Sequence, residues 1–420
     1  MFPAKKLIRQ RGVASKAMNY SGVKTKFNVP ANTARKRRLC APSCKPLWFA
    51  LDTIQRDENN KPGNAMNTSP VAASLQRENL SIAAFLKQPA EWKNSVLGTL
   101  CFSSDALERQ AQAGGEVPCM HVAMQRLGGG DSLCEVWHGS GQLTPGQHGA
   151  VHYCHDDGVL FGVIALTETM FDAGADKTPL QQAAESAYHQ VFALLDSLRY
   201  PYLFRIWNYI ADINSLSFGL ERYRQFNLGR QDAFLAHGRD VAGNAPAACA
   251  LGSAQGPLSI AFLAGRVVPL SIENPRQISA CQYPQRYGPR SPTFSRASLV
   301  QLGQDEVLFV SGTASIVGHA SLHPGDAVAQ TRETLANIEA VLAEANRLAS
   351  RPGFDLASLS YKVYVRRPAD LAQIRTELER IVGSAPNAVY LQADVCRQEL
   401  LMEIEASAAH PLVVLRGQRD

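Results

Sequence analysis

Asp157-Gly158-Val159-Leu160-Phe161 and Asp305-Glu306-Val307-Leu308-Phe309 repeat one pattern 148 residues apart. Self-similarity at a fixed spacing marks a duplicated structural unit, so the segments that follow are read in pairs. The same offset relates Gln182 to Gln330 at the start of two helical patterns, 182–198 and 330–348. In the second, Leu335, Ile338, Leu342, Ala345 and Leu348 share one face at helical spacing. Strand-like runs follow at 203–210 and 359–365, then further helices at 220–234 and 369–382. Ala245-Pro246 and Ala385-Pro386, 140 residues apart, introduce a last pair of strands in each copy, the second copy being shorter in one loop. Each copy reads β–β–α–β–α–β–β. That order predicts an α+β fold of tandem units, each a mixed sheet with helices packed on one face.

Charge divides the chain elsewhere. Residues 1–65 carry 14 Lys/Arg against 3 Asp/Glu, and the rest 28 against 34, so the net +5 conceals a basic leader and a mildly acidic body. The leader includes Arg35-Lys36-Arg37-Arg38 but no sustained helical or strand periodicity. It is expected to be disordered and outside the functional chain, which then begins at Met66; a tail with a role of its own is the other reading. The expected units are 66–275 and 276–420. The acidic body predicts no nucleic-acid partner, and no run approaches the roughly 18–20 apolar residues of a membrane span. Nine cysteines without framework spacing predict reduced thiols in a cytoplasm.

The two copies differ in chemistry. The last strands of the second, 389–397 and 400–406, include Glu403 and Glu405, whereas 254–265 of the first holds no acidic residue. Strand alternation puts Glu403 and Glu405 on one face, opposite Met402 and Ile404. Two readings are open: a pair of solvent-facing glutamates, or a carboxyl facing a cleft and serving as an acid in the second unit alone. His152, Cys154 and His155 crowd together without a complementary pair nearby, so no metal site is expected. His319 and His323 flank a turn and read as structural or as polar lining of a cleft entrance. No phosphate-binding or dinucleotide fingerprint occurs.

Two stretches are more distinctive. Gln282-Tyr283-Pro284-Gln285-Arg286-Tyr287-Gly288-Pro289-Arg290-Ser291-Pro292 leads toward Ser311-Gly312-Thr313-Ala314-Ser315, then Gly318-His319 and His323-Pro324-Gly325-Asp326. Together they resemble the chorismatases, a branch of the Rid (YjgF-like) superfamily, and the 400–406 strand resembles that superfamily's terminal strand. The resemblance covers roughly residues 80–415 and implies a tandem Rid-like, chorismate-mutase-like fold. It also implies a chorismate-cleaving enzyme with no cofactor and no metal, as a monomer or a trimer. The family's catalytic glutamate, which protonates the enolpyruvyl group, matches Glu403. The pair Gly312 and Cys396 resembles the hydroxybenzoate-forming branch rather than the branch that hydrolyses chorismate to a dihydroxycyclohexadiene carboxylate. The 282–292 segment is similar to that of bacterial members making 3-hydroxybenzoate together with 4-hydroxybenzoate. Where the deaminase branch has a carboxylate-clamping arginine, 15 residues before the glutamate, this chain has Ala388, which makes an imine deaminase the weaker alternative.

The resemblance assigns Gly312 the role of giving the substrate ring room to tilt, and Cys396 a place beside the ring; from the residues alone, a strand-packing glycine and an inert thiol serve equally well. A carboxyl acid working near neutral pH needs burial to raise it above about 4.3. Chorismate's two carboxylates call for arginine. Arg290, Tyr283 and Tyr287 from the 282–292 loop and Tyr223 and Arg224 from the first copy are the expected contacts. Glu403→Gln is expected to abolish pyruvate release with the fold intact, and Glu405→Gln to be much milder.

Overall fold

Thr178 and Asp326 begin the two long helices, and they too lie 148 residues apart. The computed structural model describes residues 75–411, apart from 106–116, 131, 175, 240–244 and 384; the 1–65 leader lies outside the described residues. The helices Pro179–Leu198 and Ala327–Leu348 start three residues before the expected glutamines. Thr178 accepts from Gln181 N and Asp326 from Ala329 N, so the caps, not the apolar periodicity, set the starts. The shorter helices are Arg222–Ala236 and Leu371–Val382.

Among the described residues the main strands form two sheets of seven and one of four. In the first large sheet Val151–His155, Val159–Leu166, Leu258–Gly265, Tyr202–Ala211 and Ala247–Ser253 are neighbours in that order. In the second the order is Ala297–Leu302, Asp305–Thr313, Met402–Pro411, Ser360–Val365 and Ala388–Gln392. Each has one parallel pair, Tyr202–Ala211 with Ala247–Ser253 and Ser360–Val365 with Ala388–Gln392, joined through a helix as a parallel connection requires. The β–β–α–β–α–β–β order therefore occurs twice, and the α+β expectation holds. The copies also exchange edges: Asp394–Val395 pairs with Ala247–Ser253 in the first sheet.

Helices cover one face of each large sheet. Leu180, Ala187 and Phe192 pack on Ile164, Ile206 and Phe262, and Leu335, Ile338 and Leu342 pack on Val310, Val363 and Ile404. The opposite faces meet a common apolar core that includes Phe161, Phe204, Phe309 and Tyr364. The third side of that core is the four-stranded sheet, in the order Gln76–Leu80, Ser132–His138, Val96–Ser103, Cys119–Val122, contributing Leu100, Phe102 and Trp137. These residues fall within the first expected unit, 66–275, in a stretch outside the repeat. The described residues belong to one compact unit. No helix among the described residues is long and apolar enough to cross a membrane.

Candidate active site

The central terminal strand, Met402–Pro411, carries the two glutamates inward. Met402, Ile404 and Ala406 face the helices, so alternation turns Glu403 and Glu405 toward the common core, and each is 4% exposed. The solvent-facing reading is overturned for both. Their surroundings then separate them. Glu405 accepts from Trp207 Nε1 at 2.9 Å and pairs with Lys362 Nζ at 2.8 Å and with Arg205. Burial alone would raise Glu405, but Lys362 and Arg205 override it and hold the carboxylate down at about 2. Among the described residues no ion pair or hydrogen bond of this kind holds the Glu403 side chain. Burial, reinforced by the charge on Glu405 and opposed by Arg205 and Arg366, pushes it up to about 8.

Glu403 lines a cavity of about 560 Å³, together with Tyr223, Arg224, Tyr283, Tyr287, Gly312 and Cys396. Seven of the eight sequence-expected site residues thus converge, from four separate stretches of chain. Arg290 does not. Its guanidinium lies 3.6 Å from Asp232 Oδ1, on an exposed side chain outside the cavity. The loop turns after Gln285–Tyr287 through Gly288, at φ 147°, and Asp232 on the neighbouring helix supplies the nearer negative charge.

Gly312 sits where the ladder between Asp305–Thr313 and the terminal strand slips register, between Val310 and Thr313. Such an irregularity redirects the backbone and opens space beside it. The carboxyl of Glu403 fills that space, so the missing side chain accommodates the acid before any ring. Burial raises the Cys396 thiol to about 12, with Glu403 adding to the effect, so it is a neutral group at the wall and not a thiolate.

The family profile "Chorismatase FkbO/Hyg5-like, N-terminal" matches residues 135–264, and "Endoribonuclease L-PSP" matches residues 292–410. A chorismatase of Streptomyces rapamycinicus is 38% identical over 287 residues, 66% of this chain and 83% of that protein. A 3-hydroxybenzoate synthase of Streptomyces hygroscopicus is 39% identical over 288 residues, 66% of this chain and 81% of that one. A chorismatase crystal structure superposes with a TM-score of 0.71 at 31% identity, covering 81% of this chain and 100% of the other. The chain belongs to the chorismatase family.

In this chorismatase both matched regions supply residues to the cavity lining. Tyr223 and Arg224 fall in the first; Gly312, Cys396 and Glu403 fall in the second; Tyr283 and Tyr287 lie between them. Gly229 lets the helix bearing Tyr223 pack tightly on its partner, since a β-carbon there would lie 2.9 Å from Glu185 N.

Sequence reading missed two arginines. Arg397 lies over Tyr287, 4.1 Å from the ring centroid, and donates to His319 O at 2.9 Å and Ser321 Oγ at 3.0 Å. Arg296 donates to Ile278 O at 2.8 Å and Tyr283 Oη at 3.0 Å. Arg397 Nη2 and Arg296 Nε are buried without a hydrogen-bond partner among the described residues, and both side chains line the cavity. Arg296 Nε lies 3.9 Å from Glu273 Oε2, and arginines at a cavity wall suit a carboxylate ligand. The only sequence signal for Arg397 was its adjacency to Cys396; Arg296 carried none. A smaller chamber of about 30 Å³, bordered by Arg230, Cys249, Cys396 and Glu403, adjoins the acid.

Proposed function

We propose that this chain converts chorismate to 3-hydroxybenzoate and pyruvate, with 4-hydroxybenzoate as a possible co-product of the same site, and that Glu403 is the acid. The observation that carries the reading is the placement of one buried carboxyl, pushed up to about 8, at the wall of a cavity also lined by arginines. A cavity of this size suits one small, polar metabolite, and Arg397, Arg296 and Arg224 offer cations for its two carboxylates. In this reading residues 66–275 contribute a binding wall and 276–420 the acid.

The chemistry follows from where the proton goes. Glu403 gives its proton to the methylene carbon of the enol ether, and the side chain becomes a leaving group. The neighbouring 4-hydroxyl attacks the ring carbon that bears it, the carbon–oxygen bond breaks and pyruvate departs, leaving an epoxide. The hydroxyl's proton returns to the Glu403 carboxylate. The epoxide then opens, the ring loses a proton to the freed oxygen, and an aromatic hydroxybenzoate results. All atoms of chorismate are accounted for without water, so a site that keeps water from the ring favours this route over hydrolysis to the dihydroxycyclohexadiene acid. Both cavity walls come from one chain, so a monomer suffices, and the reading places the enzyme in the cytoplasm. Incubating the purified protein with chorismate, then assaying pyruvate and separating the ring products by chromatography, tests it. Pyruvate and hydroxybenzoate should appear in equal amounts from the parent and neither from Glu403→Gln; no pyruvate from the parent sinks the proposal.

A further inference from the structure

Glu405 lines neither chamber, yet it anchors an ion cluster that joins all three sheets. Besides Glu405, Lys362 reaches Glu135 Oε2 at 2.9 Å on the four-stranded sheet, and Arg77 lies 3.6 Å from the same oxygen. Trp137 Nε1 donates to Glu135 Oε1 at 3.0 Å. Arg77, Arg205 and Lys362 are thus set against Glu135 and Glu405 inside the core. Burying such a cluster costs desolvation that its own attractions barely return, and apolar residues of equal volume would join the sheets as well or better. What apolar residues cannot supply is a fixed negative charge about 7 Å along the strand from Glu403, on the same dry face.

We propose that Glu405, fixed as an anion by Lys362, Arg205 and Trp207, is a positioning residue that keeps the Glu403 carboxyl protonated between turnovers. The inference rests on Glu403 being the acid. Tyr364 stands opposite Glu403 across the ladder, and Tyr209, Cys249, Tyr223 and Cys396 approach from the other elements around the site. Burial raises all five, so they stay neutral. The charges that act most on Glu403 are therefore Glu405 on one side and Arg205 and Arg366 on the other, and Arg230 faces it across the smaller chamber, paired with Asn227 Oδ1 at 3.0 Å. Arg366 is already engaged by Asp394 at 2.6 Å and by the carbonyls of Leu400, Val395 and Arg397. With two carboxyls on one buried face, the proton settles on the one that lacks cation partners.

Carboxyl-carbon NMR of glutamate-labelled protein, with Glu403→Gln identifying the signal, reads the Glu403 titration without turnover. In Glu405→Gln the midpoint should fall by about one pH unit or more, and the alkaline limb of pyruvate release should fall with it. Glu405→Asp, which keeps the charge, should stay within about half a unit of the parent. Because Glu405→Gln leaves Lys362 and Arg205 buried and under-paired, the charge-balanced pair Lys362→Met with Glu405→Gln is made alongside it. Lys362 stands opposite Glu405, a step further from Glu403, so removing both should still lower the midpoint, by less. A midpoint unchanged or raised in the variants that fold overturns the proposal. Failure of the underlying reading looks different: Glu403→Gln would go on releasing pyruvate, whatever the NMR midpoint does.

Discussion

A β-carbon on Gly312 would lie 2.8 Å from the carboxyl carbon of Glu403, nearer still to its Oε1, and 3.0 Å from the β-carbon of Cys249. Gly312 does not have a positive φ, so what the position demands is space, not a glycine conformation. The glycine and the acid form one device: the register slip opens a gap, and the carboxyl occupies it.

Gly312→Ala should accordingly impair proton transfer itself. Overpacking a filled site by one methyl costs about 1–3 kcal/mol, and Cys249 behind leaves the carboxyl no retreat except into the cavity. If that cost falls on the productive placement of the acid, pyruvate release drops by roughly 5- to 150-fold. Steady-state rates with chorismate measure this, and a variant within about twofold of the parent would show that the acid tolerates displacement.

The raised Glu403 carboxyl fixes the sign of two pH effects. As a donor it must be protonated, so pyruvate release should hold level at acid and neutral pH and fall about tenfold per unit above about 8. Stability runs the same way. The native state holds a proton that the unfolded chain releases near 4.3, so this group's contribution is full below that value and is lost as pH rises through about 8. Glu403→Gln is neutral throughout. Its stability should therefore gain on the parent's as pH rises, by at most about 1.4 kcal/mol per unit in that window, and its melting temperature with it. Parallel melting curves across pH test this, and a constant difference would mean the carboxyl titrates normally.

Much of this arrangement was legible in the sequence because it is periodic. The repeat beginning at Asp157 and Asp305 set the element order, and alternation put Glu403 and Glu405 on one face. The four-stranded sheet of residues 76–138 has no such copy in the chain, so nothing flagged it. Nor could alternation say what the inner face meets. Arg205 lies 200 residues from Glu405 in sequence, and Glu135 belongs to the sheet that went unread, so the ion cluster that makes Glu405 structural was invisible. Glu405→Gln leaves buried Lys362 and Arg205 under-paired, which typically costs about 3–5 kcal/mol of stability, a cost that alternation alone could not show. Arg290 illustrates the converse, since a loop motif names the residue types but not which arginine the backbone turns inward.

Arg397 and Arg290 should separate cleanly in kinetics. The Arg397 guanidinium is flattened against Tyr287 and held by His319 O and Ser321 Oγ with Nη2 unmet. Arg397→Lys keeps the charge but loses the planar fork, and one lost hydrogen bond to a charged group is worth about 1.5–3 kcal/mol. KM for chorismate should rise about ten- to a hundredfold. Arg290→Ala removes only an exposed pairing with Asp232 and should leave KM within about twofold. The reverse ranking would return Arg290 to the binding site and require the loop to close over substrate.

Product choice can now be tested at Cys396 without disturbing the acid. Substituting Gly312 perturbs Glu403 directly, so it cannot isolate events on the ring. Cys396 is different: it lines the cavity, packs against Ala314, Ile316 and Leu400, and its thiol stays protonated with burial raising it to about 12. It is therefore unsuited to act as a free base, but a weakly polar group of small volume at the ring's edge still influences which nucleophile reaches the carbon that loses pyruvate. Valine is similar in bulk and offers no proton. Cys396→Val should keep pyruvate release within about threefold, because protonation of the enol ether belongs to Glu403. Its ring product should shift from hydroxybenzoate toward the dihydroxycyclohexadiene acid, and a difference of only about 1.4 kcal/mol between the routes changes their ratio tenfold. Quantifying both ring products against pyruvate decides the matter. An unchanged product ratio at near-parental turnover would make Cys396 a packing residue and leave product choice to the water-excluding shape of the cavity.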